Sequence, residues 1–396
     1  MNRPPLEVAD IIRATRDRFI ERNKGWLQWL HIKVLNAIER CRTAALGGHI
    51  DQCSQCGHRT AISYNSCRNR HCPKCQTGAG KKWLAARSKE LLPVRYVHVV
   101  FTLPHQLAPL VLYNKRILYG LLFRASAQTL IEIAADPKHL GAEIGFFSVL
   151  HTWGQNLLHH PHVHCVIPAG GLSPDHSRWV HPRYPFFLPV GVLRSVFRGK
   201  FVAGLKRAFS QKELDFHGPL KYLADPKAFQ SFLRQLYRTN WVVYAKPPFG
   251  GPQYVLQYLA RYTHRIAISN HRLLAFQDGK VTFRWKDYAH GNKKRKMTLD
   301  ADEFLRRFLL HVLPRGFVRI RHFGFLANRR RAEVLTRCRQ RLSAAAPGPI
   351  STTPISADPP ARKCPICGAP MTIVERLTAQ QIRLRTDDRP SAIDTS

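Results

Sequence analysis

HHPHVHCVIPAGG, residues 159–171, decides how the rest of this chain is read. A polar turn rich in histidine runs into an apolar strand that ends at Gly170-Gly171. On a strand, residues i and i+2 share a face, so His162 and His164 point the same way while Val163 packs inward. Two imidazoles on one face can reach one divalent ion. Alone the pattern says little, because with 20 histidines about one such spacing arises by chance. Its surroundings say more. Leu150-His151-Thr152-Trp153-Gly154-Gln155 reads as a strand and Asn156 to Pro161 as the turn, which makes a β-hairpin. Gln155 is then placed to give an oxygen ligand from the neighbouring strand, leaving open positions on the ion for a phosphate.

Farther along, QYVLQYLARYTHR places Tyr254, Tyr258 and Tyr262 four residues apart. On a helix these form one stripe. Arg261, His264 and Arg265 flank it, which suits an anion-facing surface better than an aromatic core. Pro247-Pro248-Phe249-Gly250-Gly251-Pro252 fixes the helix start. Tyrosine attack on phosphorus keeps the bond energy for rejoining, and two tyrosines a turn apart allow one end to be held while a second strand is cut.

Toward the N-terminus, Cys53-x2-Cys56 and Cys72-x2-Cys75 have the spacing of a four-thiolate zinc site. Residues 41–80 hold six of the ten cysteines and few large aliphatics, so metal must stand in for a core there. Cys41, His49, Cys67 and His71 lie before and between the knuckles. They offer a second, interleaved zinc site or else pack and contact phosphate. Cys364-x2-Cys367 is a half-site that must borrow ligands, dimerise around a metal, or bind none.

Composition gives these motifs a common partner. Lys and Arg number 62 against 25 Asp and Glu, a formal charge of +37. Arginine clusters rather than scatters, and basic clusters release counterions from a polyanion, which points to nucleic acid. Arg68, Arg70, Arg261, Arg265, Lys294, Arg295, Arg319, Arg321, Arg329 and Arg330 are the expected DNA contacts, with Phe283 and Trp285 as stacking candidates. The most apolar stretch, Leu91 to Tyr113, is broken by Arg95, His98 and Pro104, so it does not read as a membrane span. No secretory signal is expected before Arg3 and Glu7, and cysteines spaced as metal ligands suit a reducing compartment. Together these lead to the expectation of a cytoplasmic chain acting on DNA at the nucleoid, with the nucleus as the alternative.

Three domains are expected: a helical, zinc-binding DNA-recognition domain over 1–90, a catalytic domain over 91–330, and a basic segment, linker and CxxC tail over 331–396. Within them, 95–103, 145–155, 163–168 and 241–246 read as strands. Residues 107–135, 190–210, 219–238, 252–263 and 300–313 read as helices.

HTWGQNLLHHPHVHCVIPAGG (151–171), QYLARYTHRIAISN (257–270) and YNSCRNRHCPKCQ (64–76) together resemble the insertion-sequence-91 family of rolling-circle transposases. These are two-tyrosine HUH single-strand endonucleases, named for two histidines around a bulky hydrophobe. The resemblance runs from about residue 10 to 330. It implies an α+β fold, an HUH core of antiparallel sheet flanked by helices, with the tyrosine helix over the metal hairpin and a zinc-binding domain before it. It also implies Mg²⁺ or Mn²⁺ at His162 and His164, Tyr258 and Tyr262 as nucleophiles, and zinc at the N-terminal cysteines. Other HUH enzymes often use Glu, Asp or His as third ligand. GHIDQC (48–53) and CPICGAPM (364–371) also look like the family pattern.

The activity so implied is metal-dependent nicking and joining of single-stranded DNA at element termini and target, through a 5′-phosphotyrosyl intermediate. No P-loop is present, since Gly80-Lys81 is followed by Lys82, so unwinding and synthesis fall to a host helicase and polymerase. Two alternatives share parts of this reading. A replication initiator or relaxase has the same chemistry on different DNA. A non-catalytic, zinc-dependent DNA-binding protein derived from a transposase keeps the fold without the reaction.

Overall fold

The computed structural model describes residues 4–246, 266–287, 291, 293–327, 329–343 and 362–387. In chain order the elements begin with α1 (Val8–Arg22), α2 (Trp29–Glu39), β1 (Gly48–Cys53), β2 (Ser63–Tyr64) and α3 (Pro73–Ser88). Next come β3 (Tyr96–Thr102), α4 (Ala108–Tyr113), α5 (Lys115–Ala135), β4 (Gly145–Trp153), β5 (His159–Pro168), β6 (Gly171–Leu172) and β7 (Trp179–Val180). Then α6 (Val190–Ser210), α7 (Pro226–Arg238), β8 (Val242–Lys246), β9 (Leu273–Gln277), β10 (Lys280–Asp287) and β11 (Lys293–Asp300) follow. The last are α8 (Ala301–Leu310), β12 (Ile320–Gly324), α9 (Arg331–Ser343), β13 (Met371–Leu377) and α10 (Ala379–Asp387). The fold is α+β, as expected. The expected helix over 252–263 lies outside the described residues.

The chain divides into two compact units, each assembled from non-contiguous segments. One takes Arg87–Thr263 and Leu313–Thr353; the other takes Met1–Ala86, His264–Val312 and Pro354–Ser396. This differs from the sequence-based domains at three places. Residues 264–312 leave the catalytic stretch, α9 joins it, and the CxxC tail goes with the N-terminal segment instead of standing apart. The physical reasons are distant contacts that local composition does not report: α8 packs on α1, α9 packs with Leu172 and Trp179, and β13 pairs with β1.

The first unit is built on a five-stranded sheet in the order β12-β4-β5-β3-β8, antiparallel at every pair. Alternate residues sort its two faces, because side chains on a strand alternate. Val97, Val99 and Phe101 of β3, Phe146 and Leu150 of β4, and Val163, Cys165 and Ile167 of β5 enter one hydrophobic core. There α5 and α6 cover them with Leu118, Leu122, Phe123, Phe197 and Phe201. Trp241 sits against Phe197 and Phe201, and its indole N–H donates to the Leu236 carbonyl at 2.8 Å. Among the described helices, Lys115–Ala135 alone has the length and hydropathy to cross a membrane. Most of its apolar window is buried in this core, as expected of a core helix of a folded domain. The break before it falls at Asn114, whose side-chain amide donates to the carbonyls of Leu110 and Asp215.

At the end of β5 the chain turns sharply into the β6–β7 pair. Gly170 has φ +134°, and a Cβ there would lie 2.3 Å from the Trp179 ring nitrogen and 2.5 Å from the Val180 carbonyl. Only glycine fits such a position. Leu172, Trp179 and Phe325 form a smaller core with Val334, Leu335, Cys338 and Leu342 of α9.

In the second unit α1 packs on α2 and on α8, with Arg18 and Arg22 3.7 and 3.2 Å from Asp302. The meander β9-β10-β11 turns Val281 and Phe283 inward, Phe283 against Phe304 of α8. A separate sheet runs β13-β1-β2.

Candidate active site and metal centres

The sheet face opposite α5 and α6 carries the histidines. Antiparallel register sets His151 of β4 directly across from His162 of β5, with His164 two residues farther along the same face. One ring nitrogen from each of His151, His162 and His164 lies within 4.8 Å of the others. That is the spacing of a set able to hold one ion.

Neighbouring groups fix which nitrogen each ring presents. His162 Nδ1 is 2.7 Å from the His160 carbonyl, an acceptor only, so Nδ1 carries the proton and Nε2 keeps the lone pair that could take an ion. His164 Nδ1 lies 2.8 Å from Nε2 of buried His98, the two rings nearly parallel at 5°. For His164 to ligate through Nε2 it must donate from Nδ1, and His98 must accept. Burial favours this. It pushes the His98 pKa down to about 3, with Lys246 adding to the shift, so the ring stays neutral and keeps an acceptor nitrogen. Burial beside His160 likewise holds His162 down at about 3. Neutral imidazoles are the form in which histidine binds metal.

Gln155 was expected to supply the third ligand from a strand. Strand β4 instead ends at Trp153, and Gln155 sits in the turn beyond it. The group that the sheet itself brings to the pair is His151, a residue read above only as part of the strand. Tyr258 and Tyr262, with Arg261 and Arg265, lie outside the described residues.

Eight cysteines of the second unit gather into two groups of four. Cys41, Cys67, Cys72 and Cys75 form one; Cys53, Cys56, Cys364 and Cys367 form the other. The set Cys53, Cys56, Cys72 and Cys75, expected as one zinc site, is therefore divided between two clusters. Neither His49 nor His71 belongs to them. His49 faces Asp51 at 3.8 Å, and the His71 backbone N–H donates to the Asn69 side chain. In the first cluster Cys75 Sγ is 3.5 Å from Cys41 Sγ and 3.6 Å from Cys67 Sγ. Hydrogen bonds among these thiols hold Cys75 and Cys41 below the ordinary thiol value and Cys67 and Cys72 above it. Four thiols this close can all ionise only around a cation. A tetrahedral Zn–S set at about 2.3 Å has S···S edges of roughly 3.8 Å, and these separations are close to that.

The basic residues divide as well. Arg284, Lys286, Lys294 and Lys296 are exposed and share one face of β10 and β11 by register, with Arg284 opposite Lys296 and Lys286 opposite Lys294. Arg68, Arg329 and Arg330 are exposed too, while Arg319 is partly buried. Arg295 pairs with buried Asp287 at 3.0 Å. Arg321 stacks over Phe123 and Phe317, and Arg70 is half-buried; burial lowers the pKa of both. Phe283 is fully buried in the β10–α8 core, so it does not stack on a base.

With the geometry in place, comparison with known proteins gives the chain its relatives. Residues 145–333 match a family model described as "Putative transposase", and residues 11–103 match one described as "Transposase zinc-binding domain". The chain is 55% identical over 352 residues to "Putative transposase y4qJ" of Sinorhizobium fredii, covering 89% of this chain and 88% of that one. It is 28% identical over 383 residues to "Transposase for insertion sequence element IS801" of Pseudomonas savastanoi pv. phaseolicola, covering 91% and 88%. No solved structure matches. The zinc-binding model falls on the cysteine-rich segment and the transposase model on the histidine hairpin, and on these matches the chain belongs to the insertion-sequence-91 family of transposases.

Proposed function

We propose that this transposase cuts and rejoins single-stranded DNA at the three-histidine site, using tyrosine as nucleophile. The observation that carries the reading is the convergence of His151, His162 and His164 on one sheet face. Three neutral imidazole nitrogens suit a transition-metal ion such as Mn²⁺ better than Mg²⁺, which takes oxygen ligands; an ion held by them would keep positions for phosphate oxygens. When bound there, such an ion supplies charge to polarise and screen the scissile phosphate.

The chain's own residues do the rest. His98 and the His160 carbonyl hold the tautomers in which His164 and His162 present Nε2. Tyr258 and Tyr262 are the assigned nucleophiles, on the resemblance of residues 257–270 to the two-tyrosine pattern. The phenolate oxygen bonds to phosphorus, and the bond from phosphorus to the 3′-oxygen breaks. That oxygen leaves as a free 3′-hydroxyl once protonated, and the DNA 5′ end stays on tyrosine. Because the phosphodiester energy is kept, attack by a 3′-hydroxyl on the same phosphorus restores the strand and releases the enzyme. The exposed Arg284, Lys286, Lys294 and Lys296 face suits the DNA backbone. Strand separation and synthesis fall to host enzymes.

Replication initiators and relaxases share this chemistry. The curated relatives carry transposase names, so an element end is the substrate to test. A labelled single strand bearing that end, with Mn²⁺, should form a denaturant-resistant adduct. Tyr258→Phe and Tyr262→Phe should each reduce it, and together abolish it. An adduct in the double variant overturns the assignment.

A further inference from the structure

We propose that Cys53, Cys56, Cys364 and Cys367 hold a second structural zinc ion, which makes the C-terminal segment an integral part of the N-terminal module. The matched zinc-binding segment ends at residue 103, so half of this site lies far outside it.

The two halves are alike in local geometry. Cys53-Ser54-Gln55-Cys56-Gly57 and Cys364-Pro365-Ile366-Cys367-Gly368 are both knuckles in which a backbone N–H two residues on donates to the first sulfur. Each closes on a glycine with positive φ, +71° at Gly57 and +77° at Gly368, the left-handed turn that lets the second thiol face the first. Between the halves, Cys53 Sγ lies 3.4 Å from Cys367 Sγ. Cys56 Sγ lies 3.6 Å from Cys364 Sγ and 3.5 Å from Cys367 Sγ. These separations are far longer than a disulfide, whose sulfurs sit about 2.05 Å apart. They match the first cluster.

The surroundings hold the halves in place independently of the sulfurs. Strand β13 pairs antiparallel with β1 from Gly48 opposite Leu377 to Cys53 opposite Met371. Arg362 pairs with buried Asp51, and Ile382 of α10 is fully buried. Backbone register therefore delivers the two knuckles to one point across 308 residues of chain. Closing a loop that long by a metal is a large constraint on the unfolded chain, since closure entropy grows with loop length.

Zinc released from the full-length protein by a thiol-blocking mercurial, read with a chromophoric chelator, counts only thiolate-held ions. Wild type should release two per chain. Cys364→Ser/Cys367→Ser should release one, Cys53→Ser/Cys56→Ser one, and the quadruple variant still one. The ion kept at Cys41, Cys67, Cys72 and Cys75 reports that the module remains folded. Wild type with one ion, a tail variant that keeps two, or a quadruple variant that loses both would overturn the proposal.

Discussion

His98 Nε2 lies 2.8 Å from His164 Nδ1, joining adjacent strands β3 and β5 on the face that carries the metal-type cluster. At the proposed metal site His98 acts through His164, as a positioning residue. His98→Leu should weaken Mn²⁺ binding by roughly 10–100-fold, the range for lost outer partners of a ligating histidine. Excess Mn²⁺ should restore nicking, and His98→Gln, which keeps an acceptor, should recover part of the affinity. A Mn²⁺ titration of nicking rate reads this; an unchanged titration midpoint in His98→Leu would remove the role.

His151 and Gln155 make opposing claims on the third ligand position. His151→Ala should reduce metal affinity severely, while Gln155→Ala should leave most of it. Paired metal-binding isotherms decide, and the reverse ranking would return the position to Gln155.

The basic face of β10 and β11 has a salt signature. Removing Arg284, Lys286, Lys294 and Lys296 one at a time should flatten log K against log salt by roughly 0.7 for each lost single-strand phosphate contact. Arg321→Ala should differ, because its guanidinium is packed over Phe123 and Phe317. It should lower stability and leave the salt slope nearly unchanged. Binding measured between low and moderate salt tests both.

Gly170→Ala forces a Cβ into Trp179 and Val180 at a backbone angle that L residues rarely adopt. Strain and overpacking together should cost about 2–4 kcal/mol. Denaturant unfolding should show a lower midpoint; no change would mean the turn relaxes at no cost.

Much of the histidine hairpin was legible from local pattern. The i, i+2 histidines, the apolar strand and the terminal glycines each have a local cause. His151 was less legible: with Gly154 to Leu158 as the turn and Trp153 opposite His159, counting back sets it opposite Pro161, and only the register shift between His151 and Trp153 brings it across from His162. Placing the turn at Asn156 to Pro161 put Gln155 on the strand and hid the match. His98 is different. It belongs to β3, whose pairing with β5 spans α4, α5 and β4, and nothing local announces it.

The cysteines divide along the same line. Their number and knuckle spacing announced metal, but grouping them by nearness in sequence joined Cys53 and Cys56 to Cys72 and Cys75. The true partners of Cys53 and Cys56 lie in the turn just before β13, with Cys364 308 residues on from Cys56. Cys364-Cys367 was readable as a half-site in need of ligands, and only the β1–β13 register names them.

That register also sets a timetable. Strand β1 leaves the ribosome hundreds of residues before its neighbour β13. At about 5–20 residues per second, the 308 residues from Cys56 to Cys364 take roughly 15–60 s to synthesise. For that interval β1 offers an open edge to whatever else is nearby. A prematurely terminated copy never covers it. The module that starts at β1 is therefore finished only once synthesis has passed β13.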